Sequence, residues 1–286
     1  MTLSLATPKR SNFLYSFTLL PKREREAMHR IYDFCRYTDD LVDENSGVLD
    51  EVHSEIQTKR VQLALWREEV DACYHGTASH PILRGLKTVL DHFEIPKEYL
   101  LALIGGVEMD LVKTRYETFE ELREYCYAVA STVGLISIQV FGYKHEETRD
   151  YAVNLGYALQ LTNILRDIKQ DASNGRIYLP LEDLRAFNYD EKSLMLSRYD
   201  ERFIALMKFE TDRARDYYAK ARSLLQKDER HALFAAEIMD AIYFRLLRKI
   251  ERADYDVFSK RISVTVPHKL LLAFRFWANR FFRSAR

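Results

Sequence analysis

The sequence is poor in chain breakers, with 9 Gly and 6 Pro among 286 residues, where average usage of the pair, roughly 12%, would supply about 34. So few breakers leave little room for the turns of a β-sandwich, a barrel or a repeated βαβ unit. An all-α chain is the expectation. Cysteine is also scarce: Cys35, Cys73 and Cys126 are odd in number, far apart and form no CxxC pair. That excludes a disulfide framework and a cysteine zinc site, and reads as reduced, buried thiols in a cytoplasmic protein. Net charge is absent too, 43 basic against 43 acidic side chains, which disfavours a dedicated nucleic-acid binder. No stretch approaches the roughly 20 apolar residues that cross a bilayer, so integral membrane insertion is not expected. Met1–Asn12 has no apolar h-region, so no secretory signal is expected either. No internal repeat, low-complexity tract or Pro/Ser-rich linker interrupts the chain, and one domain over residues 1–286 is predicted.

What is present is an ordinary globular balance, 47% hydrophobic and 30% charged, with 18 Tyr, 16 Phe and 2 Trp. Apolar residues at helical spacing predict a helix opened by Pro21 and running to about Glu44, ended by Asn45-Ser46-Gly47. Further helices are predicted from about Asp50 to Tyr74, His80 to Phe93 and Pro96 to Lys113. Phe119 to Gly142 is apolar almost all round, the mark of a helix at the centre of a fold. The next runs from about Glu146 to Asp171, stopped by Ser173-Asn174-Gly175. Ile177–Pro180 reads as an extended link. Helices then follow from about Tyr199 to Leu225, Glu229 to Val257, and Pro267 to Phe282.

Two of these helices carry acidic stripes. Asp39 and Asp43 are four residues apart and share a face, with Asp40 beside them. Like charges at that spacing repel, and a cation between them would turn the repulsion into binding. Alone, the cluster is equally well a solvated helix end with Arg36 as an ion-pair partner. Asn163, Asp167 and Asp171 form a second stripe over two turns, on a helix otherwise apolar at Leu155, Leu159, Leu161 and Ile164. Carboxylate and amide oxygens without histidine suit hard, octahedral Mg²⁺, with Mn²⁺ as the alternative, and argue against zinc. A di-iron bundle needs two Glu-x-x-His motifs; the chain has one, Glu26 to His29. Arg36 and Arg166 adjoin the stripes, and a guanidinium fork beside metal-binding carboxylates matches the oxygens of a diphosphate. A charge network that merely satisfies the acids is the competing reading.

The run Tyr32-Asp33-Phe34-Cys35-Arg36-Tyr37-Thr38-Asp39-Asp40-Leu41-Val42-Asp43-Glu44 resembles the first aspartate-rich motif of the squalene and phytoene synthase family. Gln160-Leu161-Thr162-Asn163-Ile164-Leu165-Arg166-Asp167-Ile168-Lys169-Gln170-Asp171 resembles the second, with Gln170 where the family usually has an acid. Gly175-Arg176-Ile177-Tyr178-Leu179-Pro180 follows as the family's post-motif segment does, and Tyr125–Gly134 resembles the helix that lines the prenyl cavity. The resemblance spans Ser11 to about Tyr255.

It implies a single-domain helical bundle of the isoprenoid synthase type with a central cavity. It also implies head-to-head joining of two prenyl diphosphates after one is ionised. Asp39, Asp43, Asn163, Asp167 and Asp171 would hold the metal. Tyr32, Arg36 and Arg166 would hold the diphosphates, with Gln160 a further substrate contact. Beyond the resemblance, Lys260 or Arg261 is placed to reach a diphosphate; spacing alone does not choose, and Lys260 is taken as the candidate. Phe13, Phe17, Tyr127, Tyr157 and Tyr243 are candidates for the aromatic wall around a carbocation, and Tyr127 for proton removal as a cyclopropyl intermediate forms. A core tyrosine is the equally good structural reading of Tyr127. Gly134 is expected to be a close-packing position.

The opening Ser11–Phe17 and the following Leu19-Leu20-Pro21 look closer to bacterial squalene-type and presqualene diphosphate synthases. That favours two C15 farnesyl diphosphates over the phytoene synthase alternative, two C20 geranylgeranyl diphosphates. Reduction to squalene would require NADPH, and no GxGxxG fingerprint is present, although this fold need not use one. A trans-prenyltransferase or terpene cyclase would use the same Mg²⁺ logic, but the flanking residues match the head-to-head family better. A non-catalytic helical interaction protein would leave both stripes unexplained. Downstream isoprenoid-pathway enzymes are candidate partners.

The zero net charge is a composite. Val257–Arg286 holds seven basic residues and no acid, leaving 36 basic against 43 acidic in the rest. Leu270, Phe274, Trp277 and Phe281 form a stripe opposite Arg275, Arg283 and Arg286. A basic amphipathic helix over 267–286 either lies on a membrane surface or docks on the bundle.

Overall fold

The computed structural model describes residues 16–43 and 52–283. Helices dominate: α1 (Lys22–Asp43), α2 (Val52–Tyr74), α3 (Pro81–Leu90), α4 (Lys97–Val112), α5 (Phe119–Cys126), α6 (Thr132–Phe141), α7 (Glu147–Ser173), α8 (Leu181–Ala186), α9 (Glu191–Met195), α10 (Glu201–Leu224), α11 (Phe234–Arg252) and α12 (Val266–Arg283). The only β-pairing among the described residues is an isolated parallel bridge between Arg115 and Ile177. It ties the extended link after α7 to the α4–α5 connection through Ile177 N–H donating to Thr114 O at 3.0 Å.

The breakers act at the predicted places. Pro81 occupies the first turn of α3, where its missing N–H is harmless. Gly142 and Gly175, at φ of +77° and +76°, end α6 and α7 with a positive φ that glycine adopts without strain. Asp200 caps α10, accepting from Phe203 N–H at 3.1 Å, so that helix starts after Tyr199. The next helix is shorter than its apolar pattern suggests. It starts at Phe234, after the turns that follow Gln226, and stops at Arg252, where Asp254 and Tyr255 take positive φ. The short helices α8 and α9 lie in a stretch too brief for a visible period.

The central apolar run is not one α-helix. Between α5 and α6 the backbone widens into a π-helical turn, Tyr127–Ser131. Close packing surrounds it: a Cβ on Gly106 would lie 2.7 Å from Ala128 Cβ, and one on Gly156 2.5 Å from Ser131 Cα. Gly134 is a close-packing position as expected, since a Cβ there would sit 2.8 Å from the Ala152 carbonyl oxygen. Contrary to the expectation from hydropathy, Phe119–Phe141 is long and apolar enough by composition to span a bilayer. Here it packs against α4 and α7, and its mean hydropathy reflects burial inside the bundle.

Candidate active site

Around this central rod lies a cavity of about 840 Å³ walled by α1, the π-turn and α6, α7, α11 and the segment leading into α12. On α1 its wall is the stripe Met28, Ile31, Tyr32, Cys35, Arg36 and Asp39, spaced so that all six share one helical face. On α7 the wall runs from Tyr151, Leu155 and Leu159 to Gln160, Asn163 and Arg166. Both walls therefore change from apolar to polar towards their C-terminal ends, over roughly 17 Å on α1 and 22 Å on α7 at 1.5 Å per residue. Phe17, Val133, Phe141 and Tyr243 add further apolar lining, and Arg261 and Lys269 add two cations.

The polar end of α1 is held from behind. Trp66 Nε1 donates to Thr38 Oγ1 at 3.0 Å and stacks on Phe34, and Lys59 Nζ donates to Val42 O at 2.9 Å. A lysine at the carbonyl end of a helix satisfies orphan acceptors and complements the dipole. Arg36 pairs with Asp40, Nη2 to Oδ1 at 2.9 Å, in an exposed i,i+4 ion pair. It therefore reaches both the cavity and the neighbour that the stripe leaves out. Cys35 is half-buried and opens on the cavity, and desolvation, with Asp39 beside it, keeps its thiol protonated. The Asp43 side chain and Phe13 lie outside the described residues.

On α7, Arg166 grips Asp167 with both arms of its guanidinium, Nε to Oδ1 at 2.9 Å and Nη2 to Oδ2. Arg261 approaches the same carboxylate at 3.6 Å. Asn163 donates to Gln160 Oε1 at 3.3 Å, while its own Oδ1 is buried without a hydrogen-bond partner. An unpaired buried carbonyl oxygen in a cavity wall is costly to maintain, and it is the donor type a hard cation takes. Asp171 has its pKa pushed up to about 7, first by burial and then by the charge of Asp167. No three Asp, Glu, His or Cys side chains among the described residues gather into a closed metal cage. The oxygen donors fit Mg²⁺ in the mode where one or two carboxylates and substrate phosphates share the ion.

Three sequence expectations change. Lys260 is exposed and does not line the cavity, whereas adjacent Arg261 does; the segment is irregular, so no period could choose between them. Tyr127 is not in the cavity wall. It lies among Tyr99, Tyr143 and Arg149, the last donating to Tyr99 Oη at 2.9 Å. Tyr157 is likewise absent from the wall and packs on Tyr217 with ring centres 5.0 Å apart. Gln170 is exposed and donates to Ser173.

One cluster escaped the sequence reading. Asp110, at the end of α4, accepts from Tyr125 Oη at 3.0 Å and Tyr178 Oη at 2.8 Å, and Arg176 donates to its backbone carbonyl at 3.3 Å. The two tyrosine rings stack at 5.2 Å, and burial beside Asp110 raises both hydroxyls well above their usual pKa. The charge of Arg176 lowers and that of Asp110 raises the Asp171 pKa, so the cluster sits near the end of the second stripe. The Tyr-Cys-Tyr run was its one signal: residues 125 and 127 point about 200° apart on a helix.

A family model described as squalene/phytoene synthase matches residues 6–268. The chain belongs to that family. It is 37% identical over 275 residues to a phytoene synthase of Arthrospira platensis, covering 91% of this chain and 85% of the relative. A 15-cis-phytoene synthase of Synechocystis sp. is also 37% identical, covering 91% and 78%. Among solved structures, a dehydrosqualene synthase superposes with a TM-score of 0.79 at 27% identity, covering 96% of this chain and 93% of that one. A squalene synthase, HpnC, from Alicyclobacillus acidocaldarius gives 0.75 at 28%, covering 85% and 89%. The chain is a prenyltransferase of head-to-head type with the all-α isoprenoid synthase fold.

Proposed function

We propose that this enzyme condenses two C20 geranylgeranyl diphosphates into a C40 product of the phytoene type, using Mg²⁺. The observation that supports the chemistry is the cavity itself, apolar along most of α1 and α7 and polar where Asp39, Asn163 and Arg166 enter. Such a vessel suits a long prenyl chain with a diphosphate head. The choice of C20 rests on the 37% identity to phytoene synthases and displaces the C15 preference drawn from residues 11–21. The C15 reading is kept as the second because the two solved structures described above are named for a dehydrosqualene and a squalene synthase.

In this reading Asp39, Asp43, Asn163, Asp167 and Asp171 supply the oxygens that hold the metal. Bound there, Mg²⁺ would neutralise the charge that develops on the departing diphosphate. Arg36, Arg166, Arg261 and Lys269 orient that diphosphate, and a unit charge pair at 4 Å contributes about 4 kcal/mol at an effective dielectric near 20. Tyr32 stands at the same end as a hydrogen-bond donor. Phe17 and Tyr243 line the cavity, and a cation–π contact from either would be worth about 2 kcal/mol or more where water is excluded. Incubation with radiolabelled geranylgeranyl or farnesyl diphosphate and Mg²⁺, with and without NADPH, tests the reading by product analysis. A C40 product from the C20 substrate is expected. A C30 product alone would transfer the assignment to the C15 reading, and chain elongation or a cyclic product would overturn both.

A further inference from the structure

Helix α12 meets the bundle with one face and leaves an apolar face uncovered by the described residues. Ala273 is buried, Leu272 and Phe276 pack against the core, and Lys269 reaches the cavity wall. These four positions recur at i, i+3, i+4 and i+7, the pattern of a docked helix. The amphipathic stripe read from the sequence is a different one. Leu270 is 49% exposed, Leu271 64% and Phe274 59%, and Phe274 pairs with Trp277 at 5.9 Å between ring centres. The helix is thus docked and still presents leucine and phenylalanine to solvent, a costly surface unless something covers it.

Charge selects the cover. Arg275 is exposed beside the apolar face, the chain continues with Arg280, Arg283 and Arg286, and residues 257–286 contain no acid. A second copy of this helix would bring like charges together. Residues 1–15 bring Lys9 and Arg10 and no acid, so they are no better matched. An anionic surface with an apolar interior matches both properties. The remainder of the chain carries 36 basic against 43 acidic residues, so the same surface would repel the bulk and fix the orientation.

We propose that α12 docks this protein on an anionic lipid bilayer through Leu270, Leu271 and Phe274, with Arg275 at the headgroups. The cavity is one turn away: Arg261, Ile262, Ser263, Val264 and Lys269 line it, and Leu270 is the next residue on the outer side. Lys249 Nζ donates to Ser263 O at 2.6 Å and Lys169 Nζ to Phe258 O at 2.6 Å, fastening this strap to α11 and α7. Docking therefore brings this strap, which forms part of the cavity wall, to the lipid surface. The membrane contact stands apart from the choice of prenyl substrate.

The test is cosedimentation of the full chain with phosphatidylcholine vesicles, with and without about 30% phosphatidylglycerol. Retention at least about tenfold greater on the anionic vesicles is expected, falling as salt rises. The double variant L271S/F274S should lose at least about tenfold of that retention. R275E should lose about fivefold or more on anionic vesicles alone. Thermal melts of all three should coincide, because the altered side chains lie outside the packed face. Equal retention by L271S/F274S, or none by the natural chain, overturns the proposal. So does a natural dimer that L271S/F274S converts to monomer without vesicle retention, which would make the face a contact between copies. No turnover is needed, so failure here and failure of the condensing reading are distinguishable.

Discussion

The two acidic stripes look alike in sequence and sit in unlike surroundings. On α1 the acids end an amphipathic helix, and the ion pair at that end, Arg36 with Asp40, is exposed. On α7 the acids rise from a helix buried at Leu161, Ile164, Leu165 and Ile168, and the Arg166–Asp167 pair is largely covered. An exposed pair is worth little to stability, whereas breaking a covered one leaves a charge with poor solvation. The same residue types therefore sit in an exposed pair on α1 and are bound into the fold on α7.

The largest expected difference is catalytic. Asp39→Asn and Asp167→Asn should each lower turnover at least about a hundredfold by loss of charge stabilisation, measured with radiolabelled prenyl diphosphate and Mg²⁺. Only Asp167→Asn should also lower the melting temperature, by an amount equivalent to about 1–3 kcal/mol, because Arg166 loses its carboxylate. Near-normal turnover in either variant would remove that helix from the metal site.

Asp171 sharpens the contrast through pH. Its carboxyl has a folded pKa of about 7, above the ordinary 3.8, so the folded chain holds the proton more tightly than the unfolded chain. Its contribution to stability is then fully present below the unfolded pKa and is lost as pH rises towards 7. Asp171→Asn should stabilise the metal-free protein at pH 8 by about 1–3 kcal/mol and change little near pH 4, as read by denaturant melts. Retention of Mg²⁺ by the natural chain should weaken below about pH 7, since the carboxylate must give up its proton to bind.

Next in size, Arg261→Ala should raise KM for prenyl diphosphate about tenfold, while Lys260→Ala should stay within about twofold; the reverse order would restore Lys260. The smallest effect is expected at Tyr151, whose hydroxyl is buried in the cavity wall without a partner. Tyr151→Phe removes that unsatisfied group and should leave the melt unchanged or raise stability by up to about 1 kcal/mol.

Both stripes were legible because a helix converts fixed spacing into a shared face. Scarcity of glycine and proline likewise announced the all-α fold before any contact was known. Spacing could not choose between Tyr125 and Tyr127, since either can be the buried one until the neighbours are placed. Nor could it find Asp110, which meets Tyr178 only through a contact between residues 68 apart in the chain. Lys260 and Arg261 belong to a strap with no period, where only the folded path decides which side chain turns inward.

The π-turn at Tyr127–Ser131 sets the phase of everything after it. A wide turn holds one residue more than an α-helical turn, and one residue corresponds to about 100° of rotation. Val133, Ser137 and Phe141 line the cavity only because that extra residue is accommodated upstream. Deleting a single residue such as Ala128 would leave the composition of the rod almost untouched. It would also close the wide turn to an ordinary α-helical one, moving Val129 and Ala130 of the cavity wall while α6 kept its phase. In this helix the count of residues, as much as their identity, specifies what the cavity presents.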